Sequence, residues 1–121
     1  MMRMSLLVFL LIAGASALDA AATPSEGIVG KWLPIKNITD THVQDLGRWA
    51  VVKHTWVSND GLRFSKVVSG EMQIIEYGIN YQLKVQTLLL NGKDAMNTTK
   101  VFEQDSPTST TRKLLSFGPA N

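Results

Sequence analysis

Apolar residues recur along this chain at two different intervals, first helical and then alternating. Val43, Leu46, Ala50 and Val57 stand at steps of three, four and seven, which places them on one face of an α-helix. Asp40 stands where an N-cap belongs, and Asn59-Asp60-Gly61 carries the turn chemistry that ends such a segment. Trp49 and Lys53 flank the apolar face. Gly47 within the helix costs about 1 kcal/mol relative to Ala, so packing against other elements must hold the segment. Beyond it the period becomes two. Leu62, Phe64 and Val68 alternate with Arg63, Ser65 and Ser69, and Tyr81, Leu83, Val85 and Thr87 alternate with Gln82, Lys84 and Gln86. The second run is the pattern of a half-buried strand. Asn91-Gly92 predicts a hairpin turn. Residues 99–104 and 113–117 read as two further strands, separated by Asp105-Ser106-Pro107-Thr108. Ahead of the helix, residues 32–35 predict a short edge strand, where Pro34 is tolerated because its missing donor faces no neighbour. One helix and a run of antiparallel strands predict an α+β domain with the helix covering one sheet face.

The N-terminal stretch follows a different logic. Met1-Met2-Arg3-Met4 gives a positive start, residues 5–14 supply an apolar run, and Ala15-Ser16-Ala17 offers the small-x-small pattern of a cleavage site. A membrane-spanning helix needs roughly 20 apolar residues, and Asp19 interrupts this run too early. A buried N-terminal helix would show a polar face or an N-cap, and neither is present. Residues 1–17 are therefore read as a signal peptide, with cleavage near residues 20–22 as the alternative. Residues 18–27, rich in Ala and containing Thr23-Pro24-Ser25, read as a flexible leader. The folded domain is expected over residues 28–121, in the extracellular space or another compartment of the secretory pathway, free of membrane once the signal is removed.

Composition removes several classes of function. The 121 residues provide for one domain. The formal charge is +2 and falls to about +1 without Arg3. Lys and Arg are scattered, without the basic stripe of a nucleic-acid binder. Cysteine is absent, so the domain rests on a hydrophobic core that about 100 residues can just build, and thiol catalysis and Cys-based zinc sites are excluded. The two histidines, His42 and His54, are twelve apart and fit no short metal motif of the H-E-x-x-H type. They read as partly exposed surface residues. No nucleophile elbow or phosphate-binding glycine loop occurs, and acidic residues stand singly. No enzyme, cofactor or metal is expected.

Several segments taken in order resemble the plant cystatins (phytocystatins). They are Val29-Gly30-Lys31-Trp32-Leu33-Pro34-Ile35, Leu46-Gly47-Arg48-Trp49-Ala50-Val51, Gly61-Leu62-Arg63-Phe64, Val67-Val68-Ser69-Gly70-Glu71, Asn80-Tyr81-Gln82-Leu83 and Leu114-Leu115-Ser116-Phe117. The resemblance covers residues 28–120. It implies a cystatin-like fold, an antiparallel four- to five-stranded sheet wrapped around one α-helix. It also implies a monomeric, reversible inhibitor of papain-like cysteine proteases. An N-terminal trunk and two hairpin loops would fill the enzyme's cleft and block it, with no catalytic residue needed. Gly30 matches the trunk glycine, where the absence of a side chain lets backbone approach the enzyme, and an ordinary turn at strand entry is the plainer reading. Val29 would be the apolar residue offered to a subsite. Gln73-Ile74-Ile75-Glu76-Tyr77-Gly78 matches the first-loop motif Gln-x-Val-x-Gly with one residue more, and Pro107 matches the second-loop proline.

The chain departs from the family pattern in places that bear on potency. The added residue makes the first tip larger and charged, at Glu76 and Tyr77. Thr108 stands where the family carries tryptophan, which removes an aromatic anchor. Lys31 replaces a second trunk glycine, and Val52-Lys53-His54-Thr55 departs from the family's helix ending. The added residue requires a bulge or a widened loop, and deleting Glu76 is expected to improve weakened inhibition. The alternative function is a secreted cystatin-fold binding protein with weak or lost inhibition. Asn37-Ile38-Thr39 and Asn97-Thr98-Thr99 are candidate N-glycosylation acceptors, although so short a motif also arises by chance.

Overall fold

A computed structural model of the chain describes residues 29–120. The expected signal peptide (1–17) and leader (18–27) lie outside the described residues. Strand β1 (Trp32–Pro34) is followed by helix α1 (Thr41–Ser58), then by β2 (Arg63–Ile75), β3 (Gly78–Leu88), β4 (Asp94–Asp105) and β5 (Thr110–Pro119). The strands form one antiparallel sheet in the order β1-β2-β3-β4-β5. The α+β expectation holds, and Pro34 does lie on an edge strand.

The helix presents Val43, Leu46, Gly47, Ala50 and Val51 to the sheet. They meet Val67 of β2, Tyr81, Leu83 and Val85 of β3 and Val101 of β4. Gly47 has a reason to be glycine: a methyl there would run into Val67 Cγ2 and the Phe64 ring. Its absence lets α1 lie close on β2, and burial offsets the lost helix propensity. Gln44 adds a polar stitch. Its Oε1 accepts from the Val67 amide at 3.0 Å, and its Nε2 donates to the Ile38 carbonyl at 2.7 Å. The helix ends at Asn59, which takes φ 56° and donates its amide to the Thr55 carbonyl at 2.8 Å.

Two helix expectations need correction. Val57 is 86% exposed. Its angle around the helix places it between Leu46 and Ala50, yet in the last turn that face stands in solvent at Val57, since periodicity sets direction only. Asp40 occupies the N-cap position, yet its side chain makes no capping bond; its carbonyl accepts from the Gln44 amide at 3.0 Å.

Strand β2 carries two register shifts, between Phe64 and Lys66 and between Val67 and Ser69. Ser65 and Val68 are left without direct partners. Such bulges bend a strand and raise its twist, which suits a sheet that curls around one helix. Strands β4 and β5 are longer than their sequence patterns suggest. Asn97, Thr99 and Glu103 point inward on β4 beside Val101, so burial there is not written in apolar letters.

Candidate functional site

Three segments converge at one end of the sheet. Strand β2 leaves the core there, turns, and returns as β3; β4 arrives beside it and turns into β5. The pair Ile79 and Glu103 sets the two hairpins side by side. With strands about 4.8 Å apart, the edge from β1 to β5 is about 19 Å wide.

The first segment is the trunk. Gly30 donates its amide to the Ile74 carbonyl at 2.8 Å and accepts at its own carbonyl from Gln73 Nε2 at 2.9 Å. Its φ is +84°, and a methyl added to it would meet nothing within 4 Å. Conformation therefore demands glycine here, since L-residues avoid this region. Val29 is half exposed beside it, and Lys31 is exposed.

The first hairpin is tighter than its sequence implies. Pairing runs unbroken from Ser69 with Lys84 to Ile75 with Gly78, leaving Glu76 and Tyr77 as a two-residue turn. The loop is not widened, and the irregularities of β2 lie far back in the strand. Among the described non-glycine residues only Asn59 has positive φ, so the tip backbone admits Glu and Tyr without strain. Both project into solvent, and the Glu76 carboxylate pushes the Tyr77 hydroxyl above its ordinary pKa. Ile74 and Ile75 are half-buried along the strand. Gly78 closes the motif where a methyl would run into the Glu103 carbonyl oxygen and the Phe102 ring. Glycine lets β4 approach at that point.

The second hairpin spans Ser106, Pro107, Thr108 and Ser109 between the paired Asp105 and Thr110. Ser106 donates its amide to the Ser109 carbonyl at 2.8 Å, and Ser106 Oγ accepts from the Ser109 amide at 3.1 Å. Thr110 Oγ1 donates to Asp105 Oδ1 at 2.7 Å. Pro107 and Thr108 form an exposed tip whose shape is held from below.

Beneath this hairpin lies a charged cluster that the sequence does not reveal. Glu103 is only 6% exposed and contacts His42 Nε2 at 2.6 Å and Arg112 Nε at 2.9 Å. Arg112 reaches on to Asp45 at 3.2 Å. Burial alone would raise the Glu103 carboxyl, but the bonds from His42 and Arg112 hold it below its ordinary value. The hydrogen bond to Glu103 raises His42. Burial raises Tyr81, whose ring meets His42 edge-on at 6.4 Å. The only sequence signal for this cluster is an acidic residue at an inward position of β4. Among the described residues no group of three or more His, Asp or Glu side chains is placed to hold a metal ion.

Comparison with known proteins gives this geometry a context. A family model described as aspartic acid proteinase inhibitor matches residues 35–120. Cysteine proteinase inhibitor 8 of Oryza sativa subsp. japonica is 42% identical over 123 residues, covering 99% of this chain and 98% of its own. Cysteine proteinase inhibitor 5 of Arabidopsis thaliana is 41% identical over 93 residues, covering 77% and 74%. The chain belongs to the plant cystatin family. Its relatives are named as protease inhibitors and not as enzymes. A salivary cystatin from the soft tick Ornithodoros moubata shares the fold, with a TM-score of 0.62 at 14% identity over 78% of this chain and all of its own.

Within this cystatin fold the two glycosylation motifs fare differently. Asn37 is exposed, and its Oδ1 accepts from Thr39 Oγ1 at 2.8 Å. Asn97 is 8% exposed, its Oδ1 accepts from Thr87 Oγ1 at 2.7 Å, and its Nδ2 faces the Gly118 carbonyl. A glycan on Asn97 would have to displace both of these bonds. His54 is engaged in packing as well, since it stacks on Phe117 at 4.0 Å and contacts Asp60 at 2.7 Å.

Proposed function

We propose that the chain is a secreted, monomeric and reversible inhibitor of papain-like cysteine proteases that occupies the enzyme's cleft with its trunk and two hairpins. One observation carries this reading. Val29 and Gly30, Glu76 and Tyr77, and Pro107 and Thr108 all stand at the same end of one sheet, and each segment is held by hydrogen bonds of its own. A surface arranged before binding loses little conformational entropy on docking. The cysteine proteinase inhibitors among the relatives supply the class of enzyme. Secretion rests on the residue 1–17 pattern, and the exposed Asn37 is the glycan acceptor of the secreted form.

The deciding experiment titrates the purified chain, starting at Leu18, against papain with a fluorogenic peptide substrate. Competitive inhibition that disappears on dilution is expected. Full papain activity at a large molar excess of the chain would overturn the reading. A second reading, inhibition of an aspartic proteinase, is favoured by the description of the matched family model. Pepsin assayed in acid with the same preparation tests it. Inhibition of pepsin with papain untouched would transfer the function to that class.

A further inference from the structure

We propose that Asn80 is a positioning residue that sets the trunk for binding by acting through Gln73. The inference rests on the reading of the trunk as an enzyme-contacting segment, and its chemistry lies wholly in the free protein. Strand β1 is three residues long and lies on the sheet edge. Gly30, two residues before it, is fixed by its amide bond to the Ile74 carbonyl and by the Gln73 side chain. Gln73 stands opposite Trp32 on one side and opposite Asn80 on the other. Two strands and the segment ahead of β1 thus contribute to one polar line, in which Asn80 Nδ2 donates to Gln73 Oε1 at 3.0 Å and Gln73 Nε2 donates to the Gly30 carbonyl at 2.9 Å.

The direction of this line is forced by its end. A backbone carbonyl can only accept, so Gln73 must offer Nε2 to Gly30. Its Oε1 then faces Asn80 and needs a donor, which Asn80 supplies. The Gly30 carbonyl fixes one end of the Gln73 amide; without the Asn80 donor the other end is unpaired, and the side chain is held from one side only. Asn80 therefore joins the trunk to the first hairpin as one rigid unit, although it stands on β3 and touches neither Gly30 nor a tip. Holding a contact residue through a second residue behind it is a general means of fixing a site to the required precision.

The variant Asn80→Asp separates this role from space filling. It preserves shape but replaces the donor with a carboxylate, which attracts Gln73 Nε2 and turns the amide away from Gly30. Amide hydrogen exchange of Gly30 in the free full-length protein should then accelerate by about tenfold, the scale of one hydrogen bond. Core amides such as Leu83 and Val85 should not change. In acid, near the ordinary carboxyl pKa of about 3.9, the introduced carboxyl regains an O–H donor and the protection of Gly30 should return. A purely structural role would show no such reversal. Asn80→Ala should release Gly30 at every pH, and neither change should add to the effect of Gln73→Ala. The papain inhibition constant should weaken by a similar factor in Asn80→Asp. Unchanged Gly30 exchange in Asn80→Asp and Asn80→Ala, with accelerated exchange in Gln73→Ala, would overturn the proposal. Accelerated exchange with an unchanged inhibition constant would overturn its second half, removing the trunk from the inhibitory surface while leaving the positioning of Gly30 intact.

Discussion

The Nε2 of His42 lies 2.6 Å from a carboxylate oxygen of Glu103, joining the first turn of α1 to the inner face of β4. This pair makes stability depend on pH in both directions. His42 is raised above 6.5 by the hydrogen bond to Glu103. Its contribution is complete below that unfolded value and is lost as pH rises through the folded one. Glu103, which burial alone would raise, is held below 4.5 by the bonds from His42 and Arg112. Its contribution is complete above its unfolded value and is lost as pH falls through the folded one. Both are complete between about 4.5 and 6.5. The melting temperature measured across the pH range should be highest in that mildly acid window, and His42→Ala should flatten its fall on the alkaline side.

Gly47→Ala should destabilise the protein, against the helix scale. Propensity alone would give a gain of about 1 kcal/mol. The added methyl instead meets Val67 and Phe64 in a packed interface, and overpacking costs about 1–3 kcal/mol. Urea denaturation checks the sign, and a stabilised variant would mean that α1 can lift from β2 without loss.

Protein from a eukaryotic secretory host should carry no more than one glycan on the described domain, at Asn37. Mass spectrometry of Asn37→Gln should show that glycan gone. Asn97→Ala should leave the glycan unchanged and cost about 1–3 kcal/mol of stability, because Thr87 loses its buried partner.

Much of this architecture was legible because the signals were local. The Tyr81-to-Thr87 alternation, the Asn59 turn and the edge position of Pro34 each rest on a few neighbouring residues. The polar inner face of β4 was not legible, because Asn97, Thr99 and Glu103 are satisfied by Thr87, the Ser116 carbonyl, His42 and Arg112. Each of these partners lies on another element, and a strand period says nothing about them. The candidate site was drawn from the sequence as residue types through family resemblance. Its support was not, since the line from Asn80 through Gln73 to Gly30 exists only once β2, β3 and the segment ahead of β1 are brought together.

The first hairpin reverses an expectation drawn from its length. Glu76 and Tyr77 already form a two-residue turn, so deleting Glu76 opens the terminal Ile75–Gly78 pair and rebuilds the tip as a three-residue loop. The tip loses its last pair and Tyr77 its placement, while the pairs from Ser69 to Ile74 keep their register. The deletion should weaken papain inhibition by at least about tenfold, equivalent to 1.4 kcal/mol, and lower the melting temperature. Tighter inhibition would mean that the natural tip collides with the enzyme.

Thr108→Trp tests the second hairpin. Thr108 is exposed at a tip whose backbone is held by Ser106, Ser109 and Thr110, so a larger side chain has room without disturbing the fold. An aromatic anchor at an interface is worth about 1 kcal/mol or more. The inhibition constant for papain should fall accordingly while stability stays constant. No change would place this hairpin outside the interface.

Glu76, Tyr77, Pro107 and Thr108 are all exposed, on strands whose pairing continues right up to the turns. New side chains at these tips can be tried with little penalty in folding. The glycines behind them have no such freedom: Gly30 is bound by its backbone angle and Gly78 by the neighbouring strand. On the proposed function, target choice can thus drift independently of the scaffold. A lineage pursued by changing proteases would be able to answer by altering four letters, with the other parts of the domain left as they are.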